Sequence, residues 1–384
     1  MIFYFCLMKL NIVILENNII STLTVRSKLT QVLMEQGYVV TVLTTGTSQQ
    51  LQAAEKMGLQ VIDVKSSSQN PLHIFRYMFR LKKAMKDLKA DICLTFTIRP
   101  AIWGNLVTRR LGIPTITNIT GIGPLFASNN IAYKIARSLY RFSLKKTARI
   151  FFQNTDDRDL FLKHGFLHHQ STQLIPGSGI DYVHFFPAEK VFDKEVFVFL
   201  YIGRLLKDKG IVEFVEAARI VRKQHQHVLF RVIGPLWTQN LKGNTITAEQ
   251  LEAWVDEGVI NYVGEILDVR SYIASSDTVV LPSYREGMSN VLLEASSMER
   301  PCITCDTTGC REIVEDGVTG YLCKVADAED LADKMLRIIE LPQENRIDMG
   351  KKARQKVIRE YDKKLVIAAY LHSINEASVE SDLK

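Results

Sequence analysis

No stretch of the chain offers the roughly 20 consecutive apolar residues that a helix needs to cross a bilayer, so no transmembrane helix is predicted. The apolar start Met1–Met8 lacks a basic flank and a small-residue cleavage site, which speaks against secretion. Met8-Lys9 is an alternative start, with residues 1–7 as an extension. The 6 cysteines are scattered and form no disulfide framework. Cys302, Cys305, Cys310 and Cys323 superficially resemble a metal-ligand spacing. Cys302 and Cys305, however, flank a strand-like Ile303-Thr304, where residues three apart face opposite sides, so free buried thiols in a reducing cytosol are expected. A Walker loop is missing, as is any readable Ser/His/Asp or Cys/His nucleophile arrangement. The histidine pairs His168-His169 and His225/His227 fall in polar loops, and there are no repeats or low-complexity tracts. Nucleic acid is not an expected partner, because no matching fold motif is present.

What is present is an ordinary globular composition, 47% hydrophobic and 23% charged over 384 residues, a length most easily divided into two domains. The net charge of +6 conceals an asymmetry: residues 1–187 hold 22 basic against 10 acidic side chains, and residues 188–384 hold 26 against 32. A basic half beside an acidic half points to an anionic surface or ligand for the first. Arg76, Arg80, Lys82, Lys83, Lys86 and Lys89 stand among Phe75, Tyr77, Phe79 and Leu81. Lys134, Arg137, Arg141, Lys145 and Lys146 stand among Tyr133, Tyr140 and Phe142. Helices of this kind can rest on an anionic bilayer; the plainer alternative is a pair of solvated faces over an ordinary core.

Apolar strand-like runs alternate with helix-like segments throughout, the pattern of a parallel α/β protein. Strands are expected near 9–15, 38–44, 60–64, 91–97, 114–119 and 148–153. Helices are expected over 21–37, 49–58, 70–90, 101–112 and 130–146. After Pro187 the rhythm restarts, with strands near 196–202, 228–234, 259–263, 278–282 and 302–306. Two doubly wound, Rossmann-like α/β domains follow, over 1–187 and 188–360, with Pro187–Asp193 as hinge and a ligand expected in the interdomain cleft, outside the carboxyl ends of the strands. Residues 345–375 read as helical, the segment 361–384 is expected to pack back on the first domain, and the chain frays from Ser378.

The second half carries the densest functional signal. Glu286 and Glu294 stand eight positions apart, and Gly287-Met288-Ser289-Asn290 between them passes from turn to helix chemistry, with Ser289 or Asn290 as N-cap. N–H groups at a helix start suit a phosphate, whereas two carboxylates beside it better accept hydrogen bonds from neutral hydroxyls. A diphosphate flanked by polyols is a nucleotide sugar. Phe197–Ile202 leads into Gly203-Arg204-Leu-Leu-Lys207-Asp208-Lys209-Gly210, where Arg204 offers a planar fork and Lys209 a point charge to a diphosphate. Gly234 and Gly264 end two further strands and either admit a ligand close to bare backbone or simply turn the chain. Asp306–Gly320 reads as a glycine-punctuated loop, a short helix and a hairpin-like turn.

Tyr201–Gly210, Glu286-Gly287 through Glu294-Ala295, Gly309-Cys-Arg-Glu312 and Asp316-Gly-Val-Thr-Gly-Tyr321, in this order, resemble the family 4 retaining glycosyltransferases of the GT-B fold. The resemblance implies that Arg204 and Lys209 hold the donor diphosphate, Glu294 the ribose hydroxyls and Glu286 the hydroxyls of the transferred sugar. Main-chain N–H groups of Met288, Ser289 and Asn290 would complete the phosphate site, with Gly203, Gly234, Gly264 and Gly287 lining the donor. In the first half, Phe96–Gly104, Asn118–Gly123, Phe151–Asp157 and Pro176–Asp181 are similar to the branch that includes bacterial N-acetylgalactosaminyltransferases acting on undecaprenyl-diphosphate-linked sugars. Where many members of the wider family have paired glycines and a histidine, this chain has Glu16-Asn17-Asn18 and Asn118-Ile119-Thr120. The acceptor-side candidates are accordingly Asn17, Arg99, Asn118, Thr120 and Gly121.

The implied activity is a metal-independent, retaining transfer of a hexose or N-acetylhexosamine from a UDP-sugar, a substrate rather than a cofactor. The acceptor would be an undecaprenyl-diphosphate-linked saccharide in bacterial surface-glycan assembly. Front-face attack, with the leaving diphosphate helping to take the acceptor proton, suits a site without an enzymatic nucleophile, and no Asp-x-Asp metal motif is expected in the chain, in keeping with metal independence. The implied location is cytoplasmic, peripheral on the inner face of the membrane. A UDP-sugar epimerase of the same fold and an inactive nucleotide-sugar-binding partner are the alternatives.

Overall fold

The computed structural model describes residues 9–65, 70–126, 131–167, 171–188, 196–237 and 243–382. Met1–Met8, His168-His169 and most of the Pro187–Asp193 hinge lie outside them. Two compact units result, one of residues 1–178 with 364–384, the other of residues 179–363.

The first unit is built on seven strands: β1 (Asn11–Leu15), β2 (Val39–Thr44), β3 (Gln60–Asp63), β4 (Ile92–Phe96), β5 (Thr115–Ile119), β6 (Arg149–Phe152) and β7 (Ser171–Leu174), all paired in parallel in the order β3-β2-β1-β4-β5-β6-β7. The inner strands β4 and β5 are buried along their length, and the polar residues they carry are short threonine and asparagine side chains. Strand β7 escapes a sequence reading because Ser-Thr-Gln-Leu at a sheet edge carries almost no apolar signal. The helix Thr155–Lys163 is likewise absent from the sequence expectation, although Asn154 caps it by accepting from the Asp157 N–H.

Two expected helices are interrupted. The segment 21–37 divides into Ile20–Leu23 and Ser27–Glu35, because the Thr24 hydroxyl donates to the Ile20 carbonyl and the Ser27 hydroxyl to the Thr24 carbonyl, competing with the helical ladder. Over 101–112 a π-helical turn, Pro100–Gly104, precedes the α-helix Asn105–Leu111.

The second unit repeats the winding with β8 (Phe197–Ile202), β9 (Val228–Ile233), β10 (Asn261–Gly264), β11 (Thr278–Leu281), β12 (Cys302–Cys305) and β13 (Gly320–Cys323) in the parallel order β10-β9-β8-β11-β12-β13. The short helix expected within Asp306–Gly320 is a run of turns, and a further edge strand, β13, escapes the sequence reading and pairs in parallel with β12. The turn at Asp316–Gly320 only delivers the chain to it.

Helices Gln343–Tyr361 and Lys363–Asp382 end the chain, the second running past Ser378 where fraying was expected. Between them the Ile180 N–H donates to the Tyr361 carbonyl and the Lys363 N–H to the Ile180 carbonyl. Val366, Ile367, Tyr370 and Ile374 then enter the core of the first unit beside Ile12, Val40 and Phe96. Burial of side chains of that size stabilises by about 1.5–3 kcal/mol each, enough to hold the terminal helix in that unit.

Candidate functional site

In the second unit, three loops leave the carboxyl ends of β8, β11 and β12 and are tied to one another through their backbones. The Tyr284 N–H donates to the Asp208 carbonyl at 2.9 Å, and the Ser283 hydroxyl reaches the same oxygen. The Glu286 N–H donates to the Thr308 carbonyl at 3.0 Å and the Ser289 N–H to the Gly309 carbonyl at 3.0 Å. Such contacts require close approach. Gly210 has φ +72°, and a Cβ there would lie 2.1 Å from the Pro282 carbonyl oxygen. It is glycine on both counts.

This interlock brings Lys209 and Glu286 together from loops 77 residues apart in sequence, Nζ to Oε1 at 2.6 Å. Their side chains are only 15% and 18% exposed, so the pair is better shielded than a surface salt bridge. Beneath it, the buried Tyr201 phenol lies 3.2 Å from the Arg204 carbonyl and 3.3 Å from that of Lys209, spanning the loop from within. Burial, first, and then the charge of Glu286 hold this phenol protonated far above its ordinary range. The Arg204 side chain is exposed and lies over the Trp237 ring, 5.1 Å from its centroid.

The helix Asn290–Ser297 begins immediately after this pair, with Ser289 as its N-cap. Because the Ser289 N–H is already given to Gly309, the N–H groups of Met288 and Asn290 are the ones relevant to an anion. Gly287 precedes them on the same loop. Glu294 sits one turn into the helix and is half-buried; burial pushes its carboxyl up to about 7, Lys363 pulls it down in part, and Asp268 adds to the rise.

Gly203, Gly234 and Gly264 meet at adjacent strand ends, the Gly203 N–H donating to the Ile233 carbonyl and the Gly234 N–H to the Gly264 carbonyl. A Cβ on Gly234 would fall 1.9 Å from the Gly203 carbonyl oxygen, so packing between strands alone demands glycine there, with no ligand involved.

The acceptor-side candidates all lie in the first unit and separate into different environments. The Asn118 carboxamide is buried, donating to the Tyr370 hydroxyl at 2.8 Å and accepting from Gln153, so it joins the terminal helix to the sheet. Asn17 donates to the Thr97 hydroxyl at 2.8 Å, while Arg99, Thr120 and Gly121 are half-buried. An Asp-x-Asp spacing does occur in the chain, Asp157-Arg158-Asp159, but on the helix Thr155–Lys163 two positions apart do not share a face. Asp157 is buried against Asn154 and Asp159 bonds to Arg158. Cys302 and Cys305 occupy the two ends of β12, and Cys93, Cys302, Cys305, Cys310 and Cys323 are buried free thiols; burial pushes that of Cys302 up to about 12. Among the described residues no cluster of metal-ligating side chains forms.

Sequence reasoning gave no separate role to Tyr201, the first residue of the Tyr201–Gly210 run, and did not find Asn244. The latter holds the loop at its far side, accepting from the Lys207 and Asp208 N–H groups through its carbonyl and side chain. Asn244 stands at no motif spacing; only the fold brings it to the loop.

Two family models cover most of the chain: Glycosyl transferase 4-like over residues 13–154 and Glycosyl transferases group 1 over residues 184–356. The chain belongs to the family 4 glycosyltransferases and has the GT-B fold. It is 26% identical over 341 residues, 83% of this chain and 86% of the relative, to the N,N'-diacetylbacillosaminyl-diphospho-undecaprenol alpha-1,3-N-acetylgalactosaminyltransferase of Campylobacter jejuni. It is 27% identical over 301 residues, 74% of this chain and 75% of the relative, to the UDP-Gal:alpha-D-GlcNAc-diphosphoundecaprenol alpha-1,3-galactosyltransferase of Escherichia coli. Among solved structures, Anabaena Alr3699/HepE in complex with UDP and glucose superposes with a TM-score of 0.79 at 15% identity, covering 96% of this chain and 100% of that one. Sucrose-phosphate synthase from Thermosynechococcus elongatus gives 0.75 at 17%, covering 96% and 98%.

Proposed function

We propose that the chain is a retaining, metal-independent glycosyltransferase that moves a hexose or N-acetylhexosamine from a UDP-sugar to a lipid-diphosphate-linked saccharide in bacterial surface-glycan assembly. The observation that carries the donor reading is the Lys209–Glu286 pair, set at the start of the helix that bears Glu294. Lys209 and Arg204, with the N–H groups of Met288 and Asn290, stabilise the charge that grows on the leaving diphosphate, the largest contribution such a site can make. Glu286 takes the hydroxyls of the transferred sugar and Glu294 those of the ribose. The acceptor reading rests on the Campylobacter and Escherichia relatives, whose names specify undecaprenyl-diphosphate-linked substrates.

A membrane surface fits the same reading. Helix Pro71–Asp87 exposes Phe75 (70%) and Phe79 (63%) beside Arg76, Arg80, Lys82 and Lys83, and helix Ile131–Leu144 exposes Ile131 and Ile135 beside Lys134 and Arg141. Cations flanking exposed apolar side chains favour an anionic bilayer interface. No helix among the described residues is long and apolar enough to cross a membrane, so binding would be peripheral.

Incubation with a panel of UDP-sugars and undecaprenyl-diphosphate-linked acceptors, following UDP release and lipid mass together, tests the function. One UDP-sugar should give both signals in equal amounts. UDP release without an elongated lipid would remove the acceptor half of the proposal, and absence of both would remove the whole.

A further inference from the structure

Between β12 and the half-buried Glu312 the chain makes a β-turn over Thr307-Thr308-Gly309-Cys310, closed by the Cys310 N–H donating to the Thr307 carbonyl at 3.1 Å. Gly309, its third residue, has φ +79° while Thr308 is not left-handed, the pattern of a type II turn. Hydrogen bonds fasten this turn to the loop that carries Glu286. The Thr307 hydroxyl donates to the Tyr284 carbonyl at 2.9 Å, the Glu286 N–H to the Thr308 carbonyl and the Ser289 N–H to the Gly309 carbonyl. The fit is close: a Cβ on Gly309 would fall 2.5 Å from the Glu286 carbonyl oxygen.

Glycine at this position leaves one freedom open. Turns of types I and II differ chiefly by a half-turn of the central peptide, here Thr308–Gly309, and glycine as third residue accepts either. That peptide carries both groups that matter, since its carbonyl takes the Glu286 N–H and its own N–H points the opposite way. Flipped, it would set an N–H against the Glu286 N–H. A carboxylate selects between the two forms. Glu312 Oε2 accepts from the Gly309 N–H at 2.8 Å, and the same oxygen would repel a carbonyl turned toward it. Glu312 is itself anchored, because its main-chain carbonyl accepts at 2.8 Å from the buried Tyr361 phenol at the end of the helix Gln343–Tyr361.

We propose that Glu312 is a positioning residue for the donor site: by locking the Thr308–Gly309 peptide it holds the backbone of Glu286, and with it the carboxylate that takes the hydroxyls of the transferred sugar. One side chain thus sets the register of an otherwise backbone-built frame. The part played by Glu286 toward the sugar rests on the glycosyl-transfer reading; the peptide lock does not.

The full chain is compared with Glu312→Ala and Glu312→Gln by amide hydrogen exchange without ligand and by steady-state kinetics. In Glu312→Ala the amides of Glu286 and Ser289 should exchange about tenfold faster, taken relative to the amides of β8 so that a general loss of stability cancels. Glutamine keeps an acceptor oxygen, so Glu312→Gln should stay within about threefold of the parental exchange. With the UDP-sugar that the panel turns over, the KM for the donor should rise about tenfold in Glu312→Ala while the inhibition constant of UDP, which lacks the sugar, stays within about twofold. Both constants are concentrations, so a lower folded fraction moves neither. Parental exchange at Glu286 in Glu312→Ala overturns the lock, and a Glu312→Gln as impaired as the alanine variant overturns the hydrogen bond as its cause. Faster exchange with a parental KM, or a KM and an inhibition constant that rise together, overturns the positioning role. If no UDP-sugar is turned over, the glycosyl-transfer reading fails, and the exchange still decides the lock.

Discussion

The carboxyl ends of the two sheets are organised by different means. In the second unit, loops after β8, β11 and β12 interlock through backbone hydrogen bonds and close glycine packing, and charged side chains stand on that frame. In the first, the strand ends are joined through side chains, by the buried Glu16–Arg26 pair, the stack on Phe96 and the Asn17–Thr97 hydrogen bond. A backbone frame leaves the side chains free for ligand chemistry. A side-chain frame makes the supporting residues as sensitive as the contact residues.

Four experiments can break or sharpen that contrast, beginning with the largest effect. Lys209→Ala should depress turnover by about 10²–10³-fold, the loss seen when one donor to a developing oxyanion is removed, with little change in melting temperature because the loop keeps its backbone bonds. Initial rates at saturating donor, with a thermal melt, check both halves. In the first unit the balance should invert. Arg26→Met, which strands a buried carboxylate, should destabilise by about 3 kcal/mol in denaturant unfolding, whereas Glu16→Met with Arg26→Met together should cost far less. Equal losses in the single and double variants would mean that the pair does not act as a unit.

Glu294 gives a pH test of intermediate size. An unfolded chain releases this proton near its ordinary 4.5, the folded chain only at about 7, so between these the folded state holds more protons and stability falls as pH rises. Glu294→Gln should therefore match the parental melt near pH 4.5 and exceed it above pH 7, by about 1–2 kcal/mol once partial exposure is allowed for. The same variant should weaken UDP binding and remove its decline below pH 7, measured by calorimetry. The smallest effect belongs to Tyr201→Phe, which removes the hydrogen bonding to the Arg204 and Lys209 carbonyls and should cost about 1 kcal/mol of stability with a several-fold loss in turnover. Unchanged kinetics there would show that the loop holds its shape through Asn244 and the backbone alone.

The same contrast explains what was legible in the sequence. The candidate loops of the second unit could be singled out because Gly203-Arg204, Lys209-Gly210, Glu286-Gly287 and Glu294 keep short spacings at strand ends, and apolar runs announced most strands of both sheets. Strand β7 was missed because Ser-Thr-Gln-Leu carries almost no apolar signal, and β13 because Gly320-Tyr-Leu-Cys follows directly on the turn Asp316–Gly320. Arg26 and Thr97 were missed for another reason. A ruptured helix turns one arginine inward and a tertiary clamp holds one threonine in a left-handed conformation, and neither effect leaves a local pattern. Asn118, by contrast, sits where a ligand residue was expected but serves the packing of Tyr370.

The central claim is that Lys209, Glu286 and Glu294 form a nucleotide-sugar site, and a crystal structure of the chain with UDP tests it most directly. The account predicts the ribose hydroxyls on Glu294 and the diphosphate at the start of the helix Asn290–Ser297, with Lys209 drawn from Glu286 onto a phosphate oxygen. UDP bound elsewhere, with the 2.6 Å Lys209–Glu286 contact undisturbed, would contradict it.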